Sequence, residues 1–179
     1  FGRDRAMTPK LRTLLALMAV IIPLDQITKS LVSAYIERGS YWAPIAALEG
    51  FFRVTHARNP GGALGLAQGV PVLVFIVLSL VALVMIGSFF RRIEPNDRLS
   101  AVSLGLIVSG ALGNLIDRVA RGGEVVDFLQ FNLGLFVFPD FNVADSAIVI
   151  GVVLLLLDVV THETEDGVTR ENLPGEKEG

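Results

Sequence analysis

The sequence predicts an all-α polytopic membrane protein with four transmembrane helices, and three observations carry that expectation. Of the 179 residues, 52% are hydrophobic and only 18% charged, with a mean hydropathy of +0.61, too apolar for an ordinary soluble domain and too poor in charge for a disordered chain. Four apolar runs are each long enough to cross roughly 30 Å of hydrocarbon at about 1.5 Å per residue. None of them shows the two-residue alternation that a membrane barrel strand requires.

The first span, about 11–35, is apolar to Leu24 and then carries Asp25, Gln26, Thr28 and Lys29, with Pro23 placed to free backbone carbonyls just ahead of them. Its flanks are basic but no small-x-small cleavage site follows, so it is expected to be retained rather than removed as a signal peptide. The second span, 70–90, has no charged residue and opens on Pro71, which suits a first helical turn. In the third, 99–116, Gly105, Gly110 and Gly113 are expected where helices approach closely. The fourth, 144–160, is short and dominated by Ala, Ile, Val and Leu. Residues 1–6, ahead of Met7, read as vector-derived, residues 7–161 as a single four-span domain, and the acidic stretch 162–179 as a disordered cytoplasmic tail.

Basic residues near the span ends set the expected orientation. Lys10 and Arg12 precede the first span, and Arg91, Arg92 and Arg98 crowd the short link between the second and third. Both termini then lie in the cytoplasm, and the longer connections, 36–69 and 117–143, lie on the outer face. The stretch 50–67 begins like a strand and breaks at Asn59-Pro60-Gly61-Gly62, while 124–141 is aromatic and amphipathic; both are expected at the bilayer surface.

On this topology the unusual polar residues gather at one leaflet. Asp25 and Lys29 fall in the outer half of span one, Asn114, Asp117 and Arg118 at the outer end of span three, Asp127 and Asn142 in the second outer connection, and Asp145 at the start of span four. Ionisable groups at membrane depth cost a few kcal/mol each, so a cluster of them is a functional signal. Each also has a structural reading. Asp25 and Lys29 stand at i,i+4 and fit an ion pair; Asp117 and Arg118 fit a pair that ends span three; Asn59 fits a turn; Asn142 and Asp145 fit a capping box at a helix start. Asp127 is harder to explain this way, embedded between Val125, Val126 and Phe128 with no basic neighbour nearer in sequence than Arg121.

Several chemistries are excluded or disfavoured. There are no cysteines, and His56 and His162 lie far apart outside any HExxH pattern, so a zinc or thiol enzyme is not expected. No GxSxG elbow accompanies His56, which reads as a loop residue. A proton-coupled transporter or channel component would place its acids near the midplane with access from both sides, and a structural adaptor would use the polar residues only to lock helices.

The stretches "DQITK" (25–29), "NPGGALG" (59–65), "SGALGNLIDRV" (109–119), "VVDF" (125–128) and "FNVADSAIVIG" (141–151) together resemble the lipoprotein signal peptidases, the bacterial type II signal peptidases, in order and spacing over nearly the whole membrane domain. The resemblance implies an aspartyl endopeptidase of the inner membrane, with Asp127 and Asp145 as the catalytic pair, cleaving a diacylglyceryl-modified prolipoprotein just before its lipidated cysteine. It also implies supporting roles for Asp25, Lys29, Asn59, Gly61, Asn114, Asp117, Arg118 and Asn142, and a small periplasmic β-cradle with a short periplasmic helix. Cyclic peptide antibiotics inhibit the family. No cofactor, metal or nucleic acid is expected, and the protein is expected to act as a monomer among membrane lipids. Two departures touch the rim of the implied site: Gly62-Ala63-Leu64 in place of a usual Ala-Ala-Phe, and Ser109 in place of a usual glycine.

Overall fold

A computed structural model describes residues 7–61 and 69–171, with side chains to Thr161. Four long helices form the body: α1 (Pro9–Tyr35), α2 (Val72–Arg92), α3 (Arg98–Ala120) and α4 (Val143–Glu171). All four contain a stretch long and apolar enough to cross a membrane. The expected spans are therefore present, each within a few residues of its predicted ends. The exception is the C-terminal end of α4, whose backbone runs as helix to Glu171, into the stretch expected to be disordered; 172–179, like 1–6, lie outside the described residues.

α3 is the central helix. It packs against α1, α2 and α4, and it buries Ala101, Leu104, Gly105, Gly110 and Gly113 where neighbours come close. The expected glycine contacts are borne out. A Cβ on Gly105 would meet Leu17 at 2.7 Å, one on Gly113 would meet the Asp25 carboxylate at 2.7 Å, and one on Gly110 would run into the Ala144 carbonyl. α2 is the opposite case, with no buried residue; its apolar surface is complementary to lipid rather than to protein. α1 passes through Pro23 without a break, leaving the Ala19 carbonyl without its usual helical donor. The Lys10 ammonium donates to the carbonyls of Phe90 (3.0 Å) and Ile93 (2.6 Å), capping the C-terminal end of α2.

The two longer connections meet in a three-stranded antiparallel sheet, ordered β1 (Tyr41–Trp42), β2 (Phe52–Asn59), β3 (Val125–Phe131). β2 pairs Asn59 with Val125 and Ala57 with Asp127, then shifts register through a bulge between Val54 and Ala57. A single 3-10 turn, Ala46–Leu48, joins β1 and β2. Val126 and Phe128 of β3 pack on Val32 of α1, so the sheet is seated on the end of the bundle where α4 begins. His56 belongs to β2 rather than to a loop. It is buried, its Nδ1 donating to the Ile36 carbonyl at 2.7 Å and its Nε2 accepting from Arg58 at 3.0 Å, which leaves neither nitrogen for chemistry.

Candidate active site

β3 leaves α3 through a turn at Gly122 and Gly123, both at positive φ, and its entry is fixed by Asp117, whose Oδ2 accepts from the Val126 amide at 3.0 Å. The next residue is Asp127, 3% exposed. No cation lies within ion-pairing distance of it among the described residues. Two amides hold it instead: Asn59 donates to Oδ2 at 3.0 Å and Asn142 donates to Oδ1 at 2.7 Å. Asn59 is itself aimed by the Gly61 amide, which donates to its Oδ1 at 3.0 Å; Gly61 has φ 132° and the Phe75 ring occupies the space a side chain would need.

Asp145 is fixed by the start of α4. Its amide donates to Asn142 Oδ1 at 2.9 Å while its Oδ2 accepts from the Asn142 amide at 3.2 Å, the reciprocal pair of a capping box. Its Oδ1 accepts from Asn114 at 2.7 Å. Asn142 therefore touches both carboxylates, Asp127 through its side chain and Asp145 through its backbone. That one residue brings together two acids that are distant in sequence.

Behind the carboxylates lies a buried charge cluster. Lys29 is fully buried and its ammonium reaches Asp25 (2.9 Å), Asp117 (3.2 Å) and Asn114 Oδ1 (3.0 Å), three acceptors for three protons. Asp25 also accepts from the Ala144 amide at 2.9 Å, tying α1 to the first turn of α4. The i,i+4 pair expected of Asp25 and Lys29 is present. The pairing expected of Asp117 with Arg118 is not: neighbours on a helix point about 100° apart, and Asp117 pairs with Lys29 and with Arg121 at 3.1 Å. Arg118 instead donates to the Asn114 carbonyl (3.4 Å) and lies 5.6 Å from the centre of the Phe75 ring. Its Nε is buried with no hydrogen-bond partner.

Asp127 is raised to about 6, by burial first and then by the charge of Asp145, against the lowering effect of the Asn59 and Asn142 hydrogen bonds and of Lys29. All ten residues singled out from the sequence thus fall in one connected region. Sequence reasoning missed three more. Gln26 donates to Gly113 (3.1 Å) and Asp117 (3.0 Å), Arg121 neutralises Asp117, and Phe75 backs Gly61 and Arg118. Gln26 and Arg121 had a signal, lying one turn from Lys29 and from Asp117, but Phe75 had none in an all-apolar span. Among the described residues no His, Asp or Glu group is arranged to hold a metal ion.

Comparisons with known proteins point to one family. The family model described as Signal peptidase (SPase) II matches residues 17–161. A "Lipoprotein signal peptidase" of Geobacter metallireducens is 43% identical over 159 residues, covering 88% of this chain and 96% of the relative. One of Geobacillus thermodenitrificans is 41% identical, covering 84% and 91%. A bacterial membrane enzyme structure obtained by the in meso method at 2.3 Å superposes with a TM-score of 0.78 at 30% identity, over 94% of this chain and 96% of that one. With four apolar helices, a small antiparallel sheet and this sequence kinship, the chain belongs to the signal peptidase II family, whose members are aspartic endopeptidases of the bacterial membrane.

Proposed function

We propose that the chain removes signal peptides from diacylglyceryl-modified prolipoproteins by cutting before the lipidated cysteine, with Asp127 and Asp145 as the catalytic pair. The observation that carries this is the Asn142 bridge, which holds two acids side by side in a mostly buried site. Two carboxylates so placed do not both ionise cheaply, so they titrate as a pair sharing one proton. The ionised one takes a proton from water as it attacks the scissile carbonyl. The protonated one polarises that carbonyl and then protonates the leaving amine, so that no covalent intermediate is needed.

In this reading Asn59 and Asn142 hold Asp127 in place, Asn114 holds Asp145, and the Asp25–Lys29–Asp117 cluster fixes Asn114 and the start of α4. Gly61 and Arg118 line the approach. Basic residues at the other end of the bundle support cytoplasmic termini and a periplasmic site, where the sheet forms the cradle and the scissile bond emerges from lipid into water. The substrate's acyl chains stay in the bilayer, each buried methylene contributing about 0.8 kcal/mol, and the protein acts as a monomer. Response to cyclic peptide antibiotics depends on the 59–64 rim, of which Gly62, Ala63 and Leu64 lie outside the described residues.

Incubating purified protein with a diacylated prolipoprotein and with its unlipidated form tests this. The lipidated form is cut, and Asp127→Asn and Asp145→Asn each abolish turnover. Equal cleavage of both forms, or full activity in either variant, overturns the assignment.

A further inference from the structure

Leu31 and Tyr35, at the C-terminal end of α1, form a ridge with a groove on each side. One groove, of about 780 Å³, runs between α1 and the sheet, walled by Ile36, Trp42 and Val54. The other, of about 470 Å³, is walled by Pro23, Ile27 and Ala34. Both have volumes typical of small-molecule sites, ~300–1,000 Å³. The ridge residues are exposed, Tyr35 at 84%. They end a stripe of exposed apolar side chains, Val20, Leu24, Ile27, Leu31 and Tyr35, spaced three or four residues apart and so on one helix face. The grooves are thus continuous with the lipid-facing surface of the first span.

The far end of the larger groove is polar. Tyr41 and Trp42, half-exposed, are residue types that sit at headgroup depth. Glu37 borders the same groove, and no cation pairs with its carboxylate among the described residues. The floor is Val32, which packs on Val126 and Phe128. Neighbours in a strand point to opposite faces, so this groove lies on the side of β3 away from Asp127 and is separate from the candidate active site.

We propose that α1 seats one bilayer phospholipid with an amine headgroup, its two acyl chains straddling the Leu31–Tyr35 ridge and its ammonium facing Glu37. Two apolar grooves about one ridge match two chains, and Glu37, the one charged side chain lining the larger groove among the described residues, matches an ammonium. The Arg53 guanidinium, 4.4 Å from the Tyr41 ring, and Glu49, which accepts from the Tyr41 hydroxyl at 2.8 Å, lie beyond it. The seat would brace the junction of α1 and the sheet from the lipid side.

Trp42 is the chain's single tryptophan and borders the larger groove, so its fluorescence reads occupancy directly. Detergent-purified protein is titrated with phosphatidylethanolamine brominated on its acyl chains, and separately with brominated phosphatidylglycerol. Quenching is expected to saturate at one lipid per protein, with the amine lipid about threefold tighter. Glu37→Gln erases that preference. Leu31→Ala with Tyr35→Ala, both at exposed positions, weakens binding about tenfold while thermal unfolding stays unchanged. Quenching that never saturates, equal binding of both lipids, or displacement of the bound lipid by a diacylated prolipoprotein overturns the proposal.

Discussion

Replacing Lys29 with methionine removes the one ammonium that Asp25 pairs with and leaves the volume nearly unchanged. Both side chains have 0% exposure and stand 2.9 Å apart. Asp117 keeps Arg121, whereas Asp25 is left with amide donors alone. Removing one partner of a buried pair costs about 3–5 kcal/mol, because the other charge stays buried without compensation. For a chain of this size each kcal/mol lowers Tm by about 2–4 °C, so the expected drop is about 6–20 °C. Thermal unfolding in detergent measures it. Adding Asp25→Asn should recover part of the loss, since the amide oxygen still accepts from the Ala144 amide while the stranded charge is gone. A Tm within about 2 °C of the parent, or a double variant whose loss is the full sum of the single ones, would refute the reasoning.

Further outcomes follow from the same geometry. Asp127, raised to about 6 against about 3.9 in an unfolded chain, binds its proton more tightly when folded. Its contribution to stability is therefore complete below about pH 4 and is lost as pH rises through 6, by about 3 kcal/mol; Asp127→Asn should flatten that part of the profile of Tm against pH. Asp145→Asn removes a charge that raises Asp127, so the Asp127 carboxyl should titrate lower, as carboxyl infrared bands would report. Asn142→Ala deletes a hydrogen bond that favours ionised Asp127, so the same bands should shift upward in pH and turnover should fall. Gly110→Ala drives a methyl into the Ala144 carbonyl, and should cost about 1–3 kcal/mol in thermal unfolding. Gly87→Ala, where a methyl meets nothing within 4 Å, should be neutral or slightly stabilising.

The four spans were legible because membrane helices satisfy their hydrogen bonds locally, so length and hydropathy suffice to place them. The Asp25–Lys29 pair and the Asn142–Asp145 capping box were legible for the same reason, each lying within about one helical turn. The glycine contacts of α3 were too, since a missing Cβ inside an apolar helix marks a close neighbour. What residue spacing could not supply was anything that crosses between elements. The pairing of Asp117 with Lys29 rather than Arg118, the role of Gln26, the burial of His56 in a strand and the packing of Phe75 on Gly61 and Arg118 all depend on which helix faces which.

The sequence by itself determined that this chain spans a membrane four times and carries an uncommon number of polar groups near one end of the bundle, because composition and local periodicity encode both. Only the tertiary structure decided that Asp127 and Asp145 share one asparagine. That meeting depends on where β3 enters after α3 and how α1 holds the first turn of α4, and these are contacts between residues up to 119 positions apart.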